Sequence, residues 1–208
     1  MANCASLGFK PKLKLRLKGG TKRGANPRLR AVLDARKGDA NIGGASVALP
    51  RSVFIEQSHI KTICTRVQFA LNHCPQGSIY GYAKAFTPLL DEPLEGPVYL
   101  RSSNNLLPDL VVDLQGQVRI VLVGRIDSIK GAIRTTFDAV PDAPVTKFIL
   151  QMQGGKKGLI VNSRNLCKSK NRAKVSMVGQ NGRRYDTRPV VKADCGKKKK
   201  RKGNKKRR

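Results

Sequence analysis

The fold class is decided by residues 97–155, PVYLRSSNNLLPDLVVDLQGQVRIVLVGRIDSIKGAIRTTFDAVPDAPVTKFILQMQGG. Apolar side chains alternate with their neighbours in three short runs: Leu110, Val112 and Leu114; Val118, Ile120 and Leu122; and Phe148, Leu150 and Met152. The runs are separated at Gln115-Gly116, Lys130-Gly131, Pro141–Pro144 and Gly154-Gly155. Alternation with period two between Gly, Pro and Asp breaks is typical of antiparallel strands on a core. We therefore predict an all-β protein with an antiparallel, sandwich-like architecture.

Further strands are predicted on the amino-terminal side of this segment. Lys12–Lys18 alternates strictly, with leucines on one face and the cations Lys12, Lys14, Arg16 and Lys18 on the other. This pattern indicates a strand with a solvated cationic face. Residues 29–36, 45–49 and 78–87 are also read as strands, the last with the small inward residues Gly81, Ala83 and Ala85.

One short helix and one irregular crossover are predicted between these strands. Residues 51–60, RSVFIEQSHI, form the helix candidate because Ser52 is a suitable N-cap residue and Glu56 and Gln57 follow it. Residues 88–97 are rich in proline and are predicted to be an irregular connection.

A terminal hairpin is predicted from residues 173–178 and 185–191. Asn181-Gly182 lies between them, and this dipeptide is a strong hairpin signal because a type I′ turn needs positive φ at both positions. We divide the chain into N-terminal strands (1–50), a main β domain (51–195) and a disordered polybasic tail (196–208). Residues 1–50 and 51–195 are also compatible with one continuous domain.

The chain is strongly basic, with 42 Lys or Arg, 13 Asp or Glu and a net charge of +29. The tail GKKKKRKGNKKRR holds ten of the cations, so the rest of the chain still carries +19. Such a charge favours polyanions: nucleic acid, anionic headgroups or acidic envelope polymers. The predicted polyanion contacts are Lys12, Lys14, Arg16, Lys18, Lys156, Lys157, Lys197, Lys198, Lys199, Lys200, Arg201 and Lys202.

The five cysteines are placed in a way that suits two disulfides. Cys64 and Cys74 enclose a short loop, and Cys167 and Cys195 enclose the terminal hairpin, while Cys4 is left over. Each loop closure would stabilise the fold by about 3 kcal/mol, and disulfides favour an oxidising compartment. The alternative is five reduced thiols in a cytosolic protein.

No metal, cofactor or catalytic residue is predicted. His59, Cys64, His73 and Cys74 lack the paired spacing of zinc sites. Gly154–Gly158 is not a phosphate-binding P-loop, and Asp91, Glu92 and Glu95 lie in a proline-rich loop without a partner nucleophile. We therefore expect no enzymatic activity.

Several sequence phrases occur together in the chain: FKPKLKLRLKGGTKRG, DANIGGASVALP, HIKTICTRVQF, CPQGSIYGYAKA, TPLLDEPLEGPVYLRSSNNLLPDLVVDLQGQ, GGKKGLIVNSRNLC and QNGRRYD. In this combination they resemble a family of uncharacterised secreted β-rich proteins of actinobacteria. The resemblance covers nearly all of residues 9–195. It implies an extracellular or cell-surface β protein with disulfides and no assigned activity. Because Met1 is not followed by a secretory signal, we expect the sequence to be a mature form or a fragment.

Two hypotheses about function follow. The first is a non-enzymatic exported module, structural or interacting, whose cationic surface holds anionic cell-envelope polymers or surface proteins. The alternative is an intracellular basic protein that binds nucleic acid non-specifically. No apolar run of eighteen residues is present, so neither hypothesis includes a transmembrane segment.

The cysteine state distinguishes the two hypotheses. We expect protein expressed with export to contain two disulfides, so that alkylation without reduction labels Cys4 at most. Intact mass before and after reduction measures this. Five alkylated thiols in a folded sample would instead support the intracellular alternative.

Overall fold

The computed structural model describes residues 4–129 and 131–195. These residues form fourteen strands, which in chain order are β1 (Lys12–Lys18), β2 (Arg28–Asp34), β3 (Ile42–Ala48), β4 (Val53–Ile55), β5 (Ile79–Phe86), β6 (Leu94–Arg101), β7 (Asp109–Leu114), β8 (Ile120–Ile129), β9 (Ala132–Phe137), β10 (Lys147–Met152), β11 (Ile160–Asn162), β12 (Lys174–Gly179), β13 (Arg184–Thr187) and β14 (Val191–Ala193). The described part has one α-helix, α1 (Arg66–Ala70), and five short 3₁₀ helices. The predicted all-β class is confirmed.

Twelve strands form one continuous curled sheet in the order β13-β12-β3-β9-β8-β7-β6-β5-β10-β2-β1-β14. Neighbours are antiparallel except β1 and β14, which are parallel. The two remaining strands, β4 and β11, pair with each other. Strands β1, β2 and β3 from the first fifty residues thus lie in the same sheet as strands from the rest of the chain.

The two ends of the sheet approach each other next to β12 and β14. Ala173 donates its N–H to the Pro189 carbonyl at 3.0 Å, and Val191 donates to the Asn171 carbonyl at 2.8 Å. Side chains from both halves of the sheet then share one apolar interior, for example Leu17 of β1 and Met177 of β12, each 1 % exposed. The curled sheet therefore encloses its own core, which gives the sandwich-like arrangement.

The alternation in residues 97–155 predicts the inward face correctly in β8 and β10. Ile126 is buried on β8, and Leu150 and Met152 are buried on β10. In β7 every residue is buried, because the segment around α1 covers the outer face of this strand and contacts Val111.

The predicted helix at residues 51–60 is wrong. Val53–Ile55 is a strand that pairs with β11, and only Gln57–His59 is a single 3₁₀ turn. Val53, Phe54 and Ile55 are β-branched or aromatic, which favours a strand. Ser52 is buried and does not cap a helix.

The single α-helix lies further along, at α1. Thr65 caps it: the Gln68 N–H donates to Thr65 Oγ1 at 3.1 Å, and the Thr65 N–H donates to Gln68 Oε1 at 2.9 Å. A five-residue helix is too short to show the 3.6-residue periodicity that would have revealed it.

The predicted irregular crossover at residues 88–97 is partly wrong, because β6 begins at Leu94 and includes Pro97. Pro97 lacks an N–H, so it interrupts the ladder with β7 opposite Asp113. Gly96 leaves room for the Asp113 carbonyl oxygen, which would lie 1.7 Å from a Cβ at this position.

The predicted terminal hairpin is correct as far as Thr187. Gly182 has a φ of 76°, but Asn181 does not have positive φ, so the turn is not type I′. Beyond Thr187 the hairpin ladder becomes irregular, with a single antiparallel bridge between Arg172 and Val190, and β14 then pairs with β1. The second predicted strand, 185–191, is therefore two strands in different parts of the sheet.

Both predicted disulfide pairs are present. Cys64–Cys74 has Cα atoms 5.1 Å apart, and Cys167–Cys195 has Cα atoms 5.6 Å apart. The first closes the segment that carries α1, and the second fixes the end of β14 to the turn before β12. No helix in the described part of the chain has the length and hydropathy needed to cross a membrane. The predicted tail, 196–208, lies outside the described residues.

Substitution of Gly96 tests the close approach of β6 to β7. We expect Gly96→Ala to lower the free energy of unfolding by about 3 kcal/mol or more, because its Cβ would collide with backbone rather than with a flexible side chain. Urea denaturation measures this.

The control is Gly43→Ala in β3, where a Cβ would meet the Gln180 side chain at 3.3 Å. We expect this substitution to cost about 1 kcal/mol or less, as is usual for a strand glycine without a backbone clash. Equal effects of the two substitutions would contradict the described approach of β6 and β7.

Candidate polyanion-binding face

The outer surface of β14, β1 and β2 carries a dense group of cations. The leucines of β1 point inward, so its Lys12, Lys14, Arg16 and Lys18 are all exposed. The neighbouring strands add exposed cations on the same side of the sheet. We define the cationic face as Lys12, Lys14, Arg16, Lys18, Arg28, Arg30 and Lys192.

The strand register places these cations directly opposite one another. Arg16 is opposite Arg30 on β2 and opposite Lys192 on β14, and Lys18 is opposite Arg28. Adjacent strands lie about 4.8 Å apart, so Lys192, Arg16 and Arg30 form a row of three positive charges. The sequence predicted the β1 cations, but Arg28, Arg30 and Lys192 join them only through strand pairing.

Acidic partners neutralise only part of the face. Asp34 accepts an ion pair from Lys14 at 2.7 Å, and Asp194 accepts one from Arg16 at 2.5 Å. Within residues 4–129 and 131–195, Lys18, Arg28 and Arg30 form no ion pair. Like charges directly opposite each other in a sheet are destabilising, and an anionic ligand would remove this repulsion.

Lys156 and Lys157 lie close to one end of the cationic face. They belong to the 3₁₀ turn Gly155–Lys157, and both are exposed. Gly155 donates its N–H to the Asn26 carbonyl at 2.9 Å, just before the start of β2. The turn is thereby held near Arg28. The structure thus brings the backbone of this turn towards the β1 cations, while Lys157 Nζ lies 6.0 Å from the ring centroid of buried Tyr80.

The last described residues also lie at this end. Ala193 of β14 is opposite Leu17 of β1, and Cys195 follows two residues later, joined to Cys167. The described part of the chain therefore ends near Lys18. The predicted contacts Lys197, Lys198, Lys199, Lys200, Arg201 and Lys202 lie outside the described residues.

An aromatic side chain extends the central row. Tyr82 of β5 is opposite Gln151 of β10, which is opposite Arg30. Tyr82 is 58 % exposed. In sequence Tyr82 is remote from the basic runs, but the sheet order places it two strands from Arg30. An exposed ring beside cations is a feature of surfaces that stack nucleic-acid bases.

A second polar cluster lies where the Cys64–Cys74 segment packs on β6 and β7. Arg101 and Arg119 lie over the Phe69 ring, 5.3 and 5.5 Å from its centroid. Asp113 accepts from Arg119 Nε at 2.7 Å, and these hydrogen bonds raise the pKa of Arg119. Burial, and then the Asp113 charge, raise the pKa of Tyr99. Arg101 is also ion-paired with Asp109 at 3.5 Å, although among the described residues its buried Nε has no hydrogen-bond partner. These ring and ion-pair contacts anchor the loop to the sheet.

The considered metal and catalytic residues are dispersed. Cys64 and Cys74 are joined in a disulfide, which removes the thiolates, and His59 Nδ1 lies 2.9 Å from the Gly158 carbonyl. In the parts of the chain that the structure describes, no three His, Cys, Asp or Glu side chains group as a metal site would require. Glu95 is ion-paired with Lys84 on the sheet surface.

Comparison with known proteins adds no functional assignment. No protein-family model, no curated protein and no solved structure matches the chain. The resemblance to secreted actinobacterial proteins stays a prediction.

Repulsion within the cationic face predicts an unusual stabilising substitution. We expect Arg30→Gln to raise the free energy of unfolding by about 0.5 kcal/mol at low salt, because it removes the like charge opposite Arg16. The gain should shrink in 0.5 M salt, where surface charges are screened. Urea denaturation at both salt concentrations measures it.

The matched control is Lys174→Gln on β12, an exposed strand cation whose cross-strand partner is Ala48. This substitution should change stability by a smaller amount that depends less on salt. If Arg30→Gln destabilised the protein at low salt, the opposed-charge description would be wrong.

Proposed function

We propose that the protein is a non-enzymatic exported module that binds anionic polymers of the cell envelope through the cationic face. The observation that supports this most is the cross-strand row of Lys192, Arg16 and Arg30, with Lys18 opposite Arg28 beside it. A surface that concentrates repelling cations on rigid strands is complementary to a chain of regularly spaced anions.

The spread of the face over three adjacent strands favours an extended polymer over a compact ligand. Its cations are spread over three adjacent strands, and Lys156 and Lys157 extend the charge at one end. A pocket of about 420 Å³ does lie on this surface, with Arg16, Lys170 and Lys192 in its lining, and it is open to solvent rather than enclosed. Many exposed contacts of this kind give salt-dependent binding without strict sequence or monomer specificity.

The two disulfides support the exported location in this proposal. Disulfides persist in oxidising environments and are rare in the cytosol. One of them also matters for the face, because Cys167–Cys195 holds the end of β14, which carries Lys192. In an oxidising compartment this disulfide stays formed and keeps β14 in place as the third strand of the cationic face.

Nucleic acid is the second candidate ligand, and Tyr82 is the observation that favours it. A single strand lying along the row could contact Arg30 with a phosphate and stack a base on Tyr82. An envelope polymer without aromatic groups would gain little from this ring. The contribution of Tyr82 therefore distinguishes the two ligands.

The decisive experiment compares two triple variants with the same change in net charge. Arg16→Gln/Lys18→Gln/Arg28→Gln removes charge from the cationic face, and Lys61→Gln/Lys174→Gln/Arg183→Gln removes it from scattered exposed positions. Both variants keep residues 196–208, so the contribution of the tail is the same in each. Binding to poly(glycerol phosphate) is measured by titration calorimetry between 50 and 300 mM salt.

We expect the face variant to bind poly(glycerol phosphate) at least tenfold more weakly and with a shallower salt dependence, since fewer phosphates are neutralised. The scattered variant should lose about threefold or less through long-range charge alone. Equal losses would show that no defined face exists. Tighter binding of a single-stranded oligonucleotide, reduced tenfold by Tyr82→Ala, would favour the nucleic-acid alternative.

A further inference from the structure

The interior of the curled sheet contains an apolar cavity of about 200 Å³. Its wall is built from inward-facing side chains of both halves of the sheet, and among the lining residues only Thr135 carries a polar side-chain group. For scale, an engineered apolar cavity of about 150 Å³ in another protein stays dry and binds benzene. The sequence alternation predicted which residues point inward, but not that they leave space between them.

The cavity is more open at one end. Leu17, Leu29 and Met152 are buried at one end of β1, β2 and β10. At the opposite end, the inward-facing residues of the same strands are only half-buried: Leu13, Leu33 and Phe148. The register places Leu13 and Phe148 on either side of Leu33, so the half-buried residues form one rim. We infer that the cavity reaches the surface at this rim.

The segment 138–146 runs past this opening. It connects β9 to β10, and its Val140, Ala143 and Val145 line the cavity. Its ends are fixed: Val140 donates its N–H to the Gly43 carbonyl at 3.0 Å, and Thr146 donates to the Phe86 carbonyl at 2.9 Å. From the sequence, Pro141 and Pro144 indicated only a boundary between strands. In the structure they lie in segment 138–146, which forms a strap across the rim.

The lining of the cavity extends along the strands. Along β2 it runs from Leu29 to Leu33, a distance of about 13 Å at roughly 3.3 Å per residue. A volume of about 200 Å³ spread over this length corresponds to a narrow space. Such a space fits an extended hydrocarbon chain of medium length better than a large ring system.

Charged side chains of both signs flank the opening. Lys12 of β1 and Lys147 of β10 are exposed, and each is opposite Asp34 on β2 between them, while the strap carries Asp138 and Asp142. Asp34 is engaged by Lys14 at 2.7 Å. Within the described residues Lys12 and Lys147 form no ion pair, and Lys147 Nζ lies 6.0 Å from the Phe86 ring centroid. An apolar interior with cations at its mouth is complementary to a carboxylate with a hydrocarbon chain.

We propose that the cavity binds a medium-chain acyl carboxylate, with the chain inside the sheet and the carboxylate at Lys12 and Lys147. The chain would restore the packing contacts that the empty wall lacks. The cavity itself is separate from the function proposed above, because it uses the inner face of the sheet. Lys12, at the end of β1 opposite Lys18, is the one residue of the cationic face that this site shares.

The test is titration calorimetry of the full chain with hexanoate, decanoate and hexadecanoate below their micelle concentrations. The buffer contains 0.3 M salt, to suppress non-specific association with a basic protein. We expect one site per chain. Affinity should rise from hexanoate to decanoate and gain nothing at hexadecanoate, since the cavity length limits the buried chain.

Two substitutions that fill the cavity test its location. We expect Ala45→Ile on β3 and Ala143→Leu in the strap each to weaken decanoate binding at least tenfold, because each side chain lines the cavity. The control is Val123→Ile on the outer face of β8, which should leave binding unchanged. Thermal unfolding of each variant shows whether it is folded. If Ala45→Ile does not fold, Ala143→Leu still tests the cavity, because Ala143 lies outside the strands.

The charged rim has a separate readout. Lys12→Gln/Lys147→Gln should weaken decanoate several-fold and leave the neutral analogue decanol unchanged, whereas Lys174→Gln should affect neither. Decanoate binding that survives both cavity-filling substitutions, or binding that continues to strengthen with chain length at many sites, would overturn the proposal. Such results would leave the cationic face untouched, so failure here is distinguishable from failure of the proposed function.

Discussion

By curling upon itself, the twelve-stranded sheet buries one of its two faces and leaves the other on the outside. The rest of the molecule depends on this constraint. Hydrogen bonds of Ala173 and Val191 bring the two ends of the sheet together. Every strand then has an inside and an outside, and alternating side chains are assigned to one or the other. The core has few aromatic residues and no Trp, so branched aliphatic side chains supply most of the buried surface.

The outer and inner faces of the sheet have opposite chemistry, and each contains an arrangement that lowers the stability of the protein. On the outside of β14, β1 and β2, cations lie opposite cations. On the inside, the two halves of the sheet leave an apolar cavity. Repulsion on one face and missing packing contacts on the other both lower stability. The disulfide between Cys167 and Cys195 offsets part of this loss of stability, because it holds the end of β14 in place.

Local chemistry explains where sequence-based prediction failed. Residues 51–60 contain a plausible helix cap, but pairing with β11 determined the conformation of Val53–Ile55. The helix α1 was missed because five residues show no periodicity, and its stability comes from the Thr65 cap and from packing of Phe69 under the disulfide. The prolines of residues 88–97 indicated an irregular connection, yet Gly96 allows β6 to pass close to β7 and to include Pro97. In each case a contact distant in sequence overrode a local preference.

The sequence by itself determined the β class, the two disulfide pairs, the inward leucines and outward cations of β1, and the charge of the whole chain, because alternation, cysteine spacing and composition are local properties. Only the tertiary structure decided that Arg28, Arg30, Lys192 and Tyr82 join the β1 cations on one surface. It also decided that a cavity remains inside the sheet. Both depend on which strands become neighbours and how tightly the sheet closes, and these follow from the packing of residues far apart in the chain.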